Sequence, residues 1–167
     1  MKYFITVCVS LCIISCASQK LPTQRIEGDL TFQSVSLTNF HGATEAQYQS
    51  LLKELEDTLV HPEKYKNSIE LYRYVAKLEK HKILTAPQIY LYIDKDSLIT
   101  VFLSEQAYEK VQHFTYADLH KQQKKVVVQL DIVEKEKGIF YAEKIISVHK
   151  TDGVSKINGS SMTFMRN

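Results

Sequence analysis

Tryptophan is absent from the 167 residues, glycine occurs five times, proline three times and cysteine three times. All three cysteines, Cys8, Cys12 and Cys16, lie near the start. A secreted domain stapled by disulfides would spread an even set through its body, so any fold downstream must stand on its core alone. So few glycines leave little room for a glycine-rich phosphate loop. No uncharged run reaches the ~20 residues of a spanning helix. Neither sign of charge dominates, with 21 basic against 19 acidic side chains. Nucleic-acid binding calls for a basic excess gathered on one face, and Lys121, Lys124 and Lys125 read as the solvated edge of a strand. No nucleic-acid partner is expected.

Reactive constellations are missing as well. The histidines at 41, 61, 81, 113, 120 and 149 form neither a His-x-His nor a His-Glu-x-x-His arrangement. His113, Asp118 and His120 come nearest to a ligand group, with a spacing that matches no known grip. Asp94 and Asp96 lack the glycine and distal glutamate of a calcium loop. Gly159-Ser160-Ser161 is no Gly-x-Ser-x-Gly elbow. The acidic pairs Glu54/Glu56 and Glu134/Glu136 fall on polar surfaces. No catalytic residue, metal or cofactor is expected.

What is present begins with a processing pattern. Lys2 precedes an uncharged run from Tyr3 to Ile14, which has the build of a secretory signal. Ile13-Ile14-Ser15-Cys16 then resembles the lipobox of bacterial lipoproteins. That resemblance, confined to the first sixteen residues, implies cleavage before Cys16, lipid on its thiol and acylation of the new amine. Cys8 and Cys12 would leave with the signal, so the one surviving thiol sits where lipid goes. Two anchoring signals already suffice for stable membrane attachment. Ala17, in place of the aspartate that favours inner-membrane retention, implies the outer membrane. The expected organisation is a signal peptide over 1–15, a polar tether over 16–27, one globular domain over 28–150 and a loose tail over 151–167.

Within the domain, Leu30, Phe32, Val35 and Leu37 predict a strand near Asp29 to Phe40 with a bend. Thr44 and Gln47 have the form of a capping box. Tyr48, Leu51, Leu52, Leu55 and Leu59 follow at helical spacing until His61-Pro62 closes the helix. Asn67 or Ser68 caps a second helix with Ile69, Tyr72, Val75 and Ala76 inward. Gln88–Ile93 and Leu98–Leu103 alternate as a hairpin, and Ser104 caps a short helix. A looser stretch through Tyr116 and Leu119 leads to a strand on which Val126, Val128, Leu130 and Ile132 alternate. After a turn at Glu134 to Gly138, Ile139 to His149 reads as the last strand.

The fold class is therefore α+β. Asp96 to Leu103 as a third strand, with Lys125 to Glu134 and Gly138 to Val148 as a closing hairpin, resembles the OB-fold, a five-stranded Greek-key barrel. That family joins its first two strands directly, whereas two helices intervene here. Two architectures are open: a five-stranded antiparallel OB-like barrel with an inserted helical pair, or an open antiparallel sheet with the helices across one face.

Ten tyrosines stand out. With Ile89, Leu91 and Ile93 inward, Tyr90 and Tyr92 project together from the other face, and such rings suit peptide and glycan surfaces. The resemblance makes Tyr90, Tyr92, Thr100 and Phe102 the expected binding face, unless the helical pair covers it. The leading expectation is a lipid-anchored, non-catalytic envelope module that binds a protein or glycan. The alternatives are a small hydrolase whose site forms only in space, and an inhibitor or immunity-type lipoprotein.

Overall fold

A computed structural model describes residues 21–34, 36, 38–94 and 97–158. Cys16 and its lipobox, Val35, Leu37, Asp96 and the stretch from Gly159 to Met165 lie outside the described residues. The chain folds into a closed, OB-like barrel of the α+β class, with extra strands and four helices around it among the described residues.

Strand β1 spans Thr23–Gln33, β2 Gln88–Tyr92, β3 Leu98–Leu103, β4 Lys124–Glu136 and β5 Ile139–Ala142. β1 pairs antiparallel with β4 from Thr23↔Val133 to Asp29↔Val127, then with β2 from Asp29↔Tyr92 to Thr31↔Tyr90. β2 pairs with β3, and β5 closes the ring between β3 and β4. The β3–β5 contact is parallel, which corrects the expectation of a purely antiparallel barrel. β3 and β5 are separated by a helical crossover and a hairpin, so they run the same way.

β1 starts at Thr23, inside the stretch expected to be tether. Alternation is hidden there because Gly28 occupies an inward position between Ile26 and Leu30 and contributes no side chain. Leu30 and Phe32 therefore mark only the later part of the strand.

Alternation on β4 is complete. Val126, Val128 and Leu130 are fully buried and Ile132 nearly so, while Val127, Gln129, Asp131 and Val133 face outward. Together with Ile26, Leu30, Ile89, Leu91, Val101 and Leu103 they fill the barrel. Two short helices, α3 (Glu105–Glu109) and α4 (Tyr116–Lys121), and the turn after α3 plug one end with Ala107, Leu119 and Val111. Ser104 and Thr115 accept the backbone N–H groups of Ala107 and Asp118 as N-caps.

Ile139 to His149 is two strands rather than one. β5 ends at Ala142, and β6 (Ile145–Asp152) continues along β4 alone. Ser104 seizes the corner, its N–H donating to Ala142 and its hydroxyl to the Glu143 carbonyl. Beyond β6 the described residues to Asn158 are structured, where a loose tail was expected. The Gly153 N–H donates to Gln123, and a short β7 (Ile157–Asn158) runs parallel to the end of β1.

Helix α1 (Glu45–Val60) has the expected capping box between Thr44 and Gln47. Its inner stripe is Tyr48, Leu51, Leu55 and Thr58, whereas Leu59 is 48% exposed. Spacing of three and four from Tyr48 arrives at Thr58, whose hydroxyl satisfies itself on the Glu54 carbonyl. Helix α2 (Ile69–Lys80) buries Val75 and Leu78. The pair packs on the outside of the barrel, around Phe102 of β3 and Ile139 of β5.

The C-terminus of α2 breaks a local rule. Ile83 N–H donates to Leu78 and Lys82 N–H to Glu79, a Schellman closure. Its left-handed position holds Lys82 at φ 56° instead of glycine. A side chain there costs about 1–2 kcal/mol, partly offset by the greater freedom glycine loses on folding. Lys82→Gly should therefore raise the unfolding free energy by about 0.5–1 kcal/mol in a urea titration; a decrease would contradict the geometry.

Candidate functional site

The expected binding face is the outer surface of the β2–β3 hairpin. Cross-strand pairs there are Gln88↔Phe102, Tyr90↔Thr100 and Tyr92↔Leu98. All six side chains leave the barrel on the same side, since Ile89, Leu91, Val101 and Leu103 point inward. The face is not uniform, and its three rows have three fates.

Phe102 is fully buried, packed among Leu55, Val75, Leu78, Ile83 and Leu84. Its place in the expected binding face is therefore corrected: the helices inserted between β1 and β2 seal this end of the hairpin. In the next row, the Tyr90 hydroxyl donates to Ser36 at 2.8 Å, and the Gln88 amide donates to both oxygens at 2.9 and 2.6 Å. Burial pushes the Tyr90 phenol up, against a weaker opposing pull from Ser36, and raises that of nearby Tyr74 to about 12. Gln88 Oε1 is buried with no partner, a group whose exposure to an apolar surrounding is costly.

The last row is half-buried and open on one side. Tyr92 donates its hydroxyl to Asn158 Oδ1 at 2.8 Å, and the Lys156 ammonium stands 4.3 Å from its ring centroid. Leu98 opposite Tyr92 is likewise half-buried, as is Thr100 opposite Tyr90 in the row before, and Ile93 at the hairpin end is 37% exposed. Tyr92, Leu98 and Thr100, with the ammonium of Lys156, thus make a small surface of one aromatic ring, aliphatic and hydroxyl groups and one cation. Ser36, Lys156 and Asn158 escaped sequence reasoning. They sit 54, 64 and 66 positions from their tyrosines, and no local pattern announces such contacts.

No family model, curated protein or solved structure matches this chain.

His113 lies tilted against Phe114 and His120 stacks on Tyr116, while Asp118 accepts the Thr115 hydroxyl. No group of three His, Cys, Asp or Glu among the described residues is placed to hold a metal. A groove of about 470 Å³ runs between Asn39–Ala43 and the start of α1, walled by Phe40, Tyr48 and Leu51. No described helix is long and apolar enough to cross a membrane.

Glu136 ties the β4–β5 hairpin to α2. It accepts Lys77 at 2.9 Å, Lys80 at 3.3 Å and His81 at 3.4 Å. Hydrogen bonds from Lys77 and Lys80 hold its carboxyl at about 2, below the ordinary 4.5. A carboxyl depressed on folding stabilises the fold above its unfolded value, and that contribution fades as pH falls from 4.5 toward 2. The melting temperature of the wild type should therefore fall more steeply over that window than that of Glu136→Gln. Parallel curves would show the tie to be absent in solution.

Proposed function

We propose that this chain is a lipid-anchored cell-envelope protein, held through Cys16 in the outer membrane, whose barrel binds a protein or glycan without catalysing a reaction on it. The observation that carries the binding reading is the open end of the β2–β3 face, the Tyr92–Leu98 row with Thr100 beside it. Tyr92, Leu98 and Thr100 stay accessible on the hairpin that OB-folds use for oligomeric ligands, while the row at Phe102 is closed. Tyrosine with a flanking cation suits a surface that pairs apolar area with hydrogen bonding. The lipobox resemblance at Ile13-Ile14-Ser15-Cys16 supports the anchor.

Crosslinking the tagged protein in its host, with Cys16 intact, tests this reading. A stoichiometric partner should be captured, and Thr100→Lys should lose most of the capture while moving the melting temperature by only a few degrees. Capture unchanged in Thr100→Lys, at wild-type stability, would remove this face as the site.

A further inference from the structure

We infer that the end of the barrel formed by the β4–β5 turn and the C-terminus of α2 lies flat on the anionic phospholipid headgroups of the membrane that holds the anchor. The inference deepens the anchoring proposal and rests on it. Three observations converge. Ala17 to Pro22 is the whole connection between Cys16 and the first strand, and six extended residues reach at most about 22 Å. The barrel therefore stays within one protein radius of the bilayer.

Thr23 is level with Val133. The chain thus leaves the barrel beside Glu134, at the same end as the Glu134 to Gly138 turn. Glu136 brings the last turn of α2 to that end as well. The end facing the bilayer is accordingly set by where β1 begins.

That end is rich in lysine. Lys77, Lys80 and Lys82 come from α2 and its closure, Lys135 and Lys137 from the hairpin. Against these five lysines stand Glu79, which accepts the Tyr48 hydroxyl, Glu45 near the same tyrosine, Glu134, which accepts the Gly138 N–H, and Glu136, which accepts Lys77, Lys80 and His81, so the end keeps a small basic excess. The Lys80 side chain is 68% exposed despite its ion pair. Lys135 stands over the Tyr141 ring at 5.2 Å. Lys82, just past the end of α2, is exposed. Lysines near an anionic surface each strengthen attraction about fivefold at moderate salt, an effect that fades within a Debye length.

Amine footprinting of the full mature protein tests the inference without any substitution. Protein extracted from its host membrane is placed in phosphatidylcholine vesicles, or in vesicles with roughly a third phosphatidylglycerol, the anionic surface in question. Each lysine's rate of acetylation is then read by mass. Lys80, Lys82 and Lys135 should react several-fold more slowly on the anionic vesicles, and the slowing should vanish in molar salt. Lys53, Lys64 and Lys66, exposed along α1 and the turn after it, should react alike on both. Equal rates at all six lysines, or slowing shared by all six, would overturn the docking face. The mass of the N-terminal peptide in the same samples reports acylation separately. An unmodified Cys16 would remove the anchor and this inference together, whereas an acylated Cys16 with headgroup-independent rates would remove the inference alone.

Discussion

Phe102→Ala is expected to lower the unfolding free energy by about 3–5 kcal/mol. Folded domains of this size hold only about 5–15 kcal/mol in total, so the variant would lose a large share of its stability. Phe102 is fully buried and lies where two layers meet, with the wall of β3 and β5 on one side and Leu55, Val75 and Leu78 of the helical pair on the other. Neither layer can collapse into the cavity without breaking the pairing of Gln88 with Phe102 or the packing of α1 on α2. Urea unfolding followed by circular dichroism measures the loss. A change under about 1 kcal/mol would mean that Phe102 is a surface residue, and the helical pair would then not cover this end of the hairpin. The same measurement on Thr100→Lys should show little change, and the contrast between adjacent positions on one strand separates the sealed part of the face from the open part.

Gly28→Ala should destabilise by about 1–3 kcal/mol, with Gly28→Val worse. Gly28 is the point at which β1 passes from β4 to β2: it pairs with Val128, and its neighbour Asp29 pairs with both Val127 and Tyr92. A Cβ at this position would stand 2.8 Å from the Tyr92 carbonyl oxygen and 3.1 Å from Leu91 Cβ. The first is backbone and the second the root of a buried side chain, so neither gives way cheaply. β1 can serve two partners only because the strand bends closely against β2 here. Amide exchange across the Asp29–Tyr92 pairing should accelerate in the variant, since closure between β1 and β2 weakens first. Wild-type stability in Gly28→Ala would contradict the register of the barrel seam.

The elements with uninterrupted alternation were legible in the sequence. β2, β3 and β4 could be read from period-two patterns because one side of each faces the barrel interior and the other does not. The caps at Thr44 and Ser104 were legible for a similar reason, as each is a contact over three residues. The start of β1 was hidden by a glycine at an inward position, and the division of β5 from β6 by the absence of any breaker between Ala142 and Ile145. What separates those two strands is Ser104, nearly forty positions away. Parallel pairing of β3 with β5 is likewise a property of topology rather than of any segment.

The site divides along the same line. That Tyr90 and Tyr92 share one face follows from alternation, whereas Thr100 and Phe102 joined them only through the OB-fold resemblance. That Phe102 is core, Tyr90 is tied to Ser36 and Tyr92 is flanked by Lys156 depends on which distant segments arrive there. The helical pair was legible as amphipathic, while its seat on β3 and β5 required the closed barrel. Thr58 in place of Leu59 on the inner stripe shows the limit of periodicity: a threonine that satisfies its own hydroxyl on the preceding turn is apolar in effect.

Lipid on Cys16 is the claim on which envelope location, the short reach of the barrel and the membrane-facing end all depend. The measurement that tests it most directly is the mass of the N-terminal peptide of the protein extracted from its host envelope. The account predicts a chain that begins at Cys16 and carries acyl groups on its thiol and amine. A chain cut elsewhere, or one that begins at Cys16 with a free thiol, would contradict it.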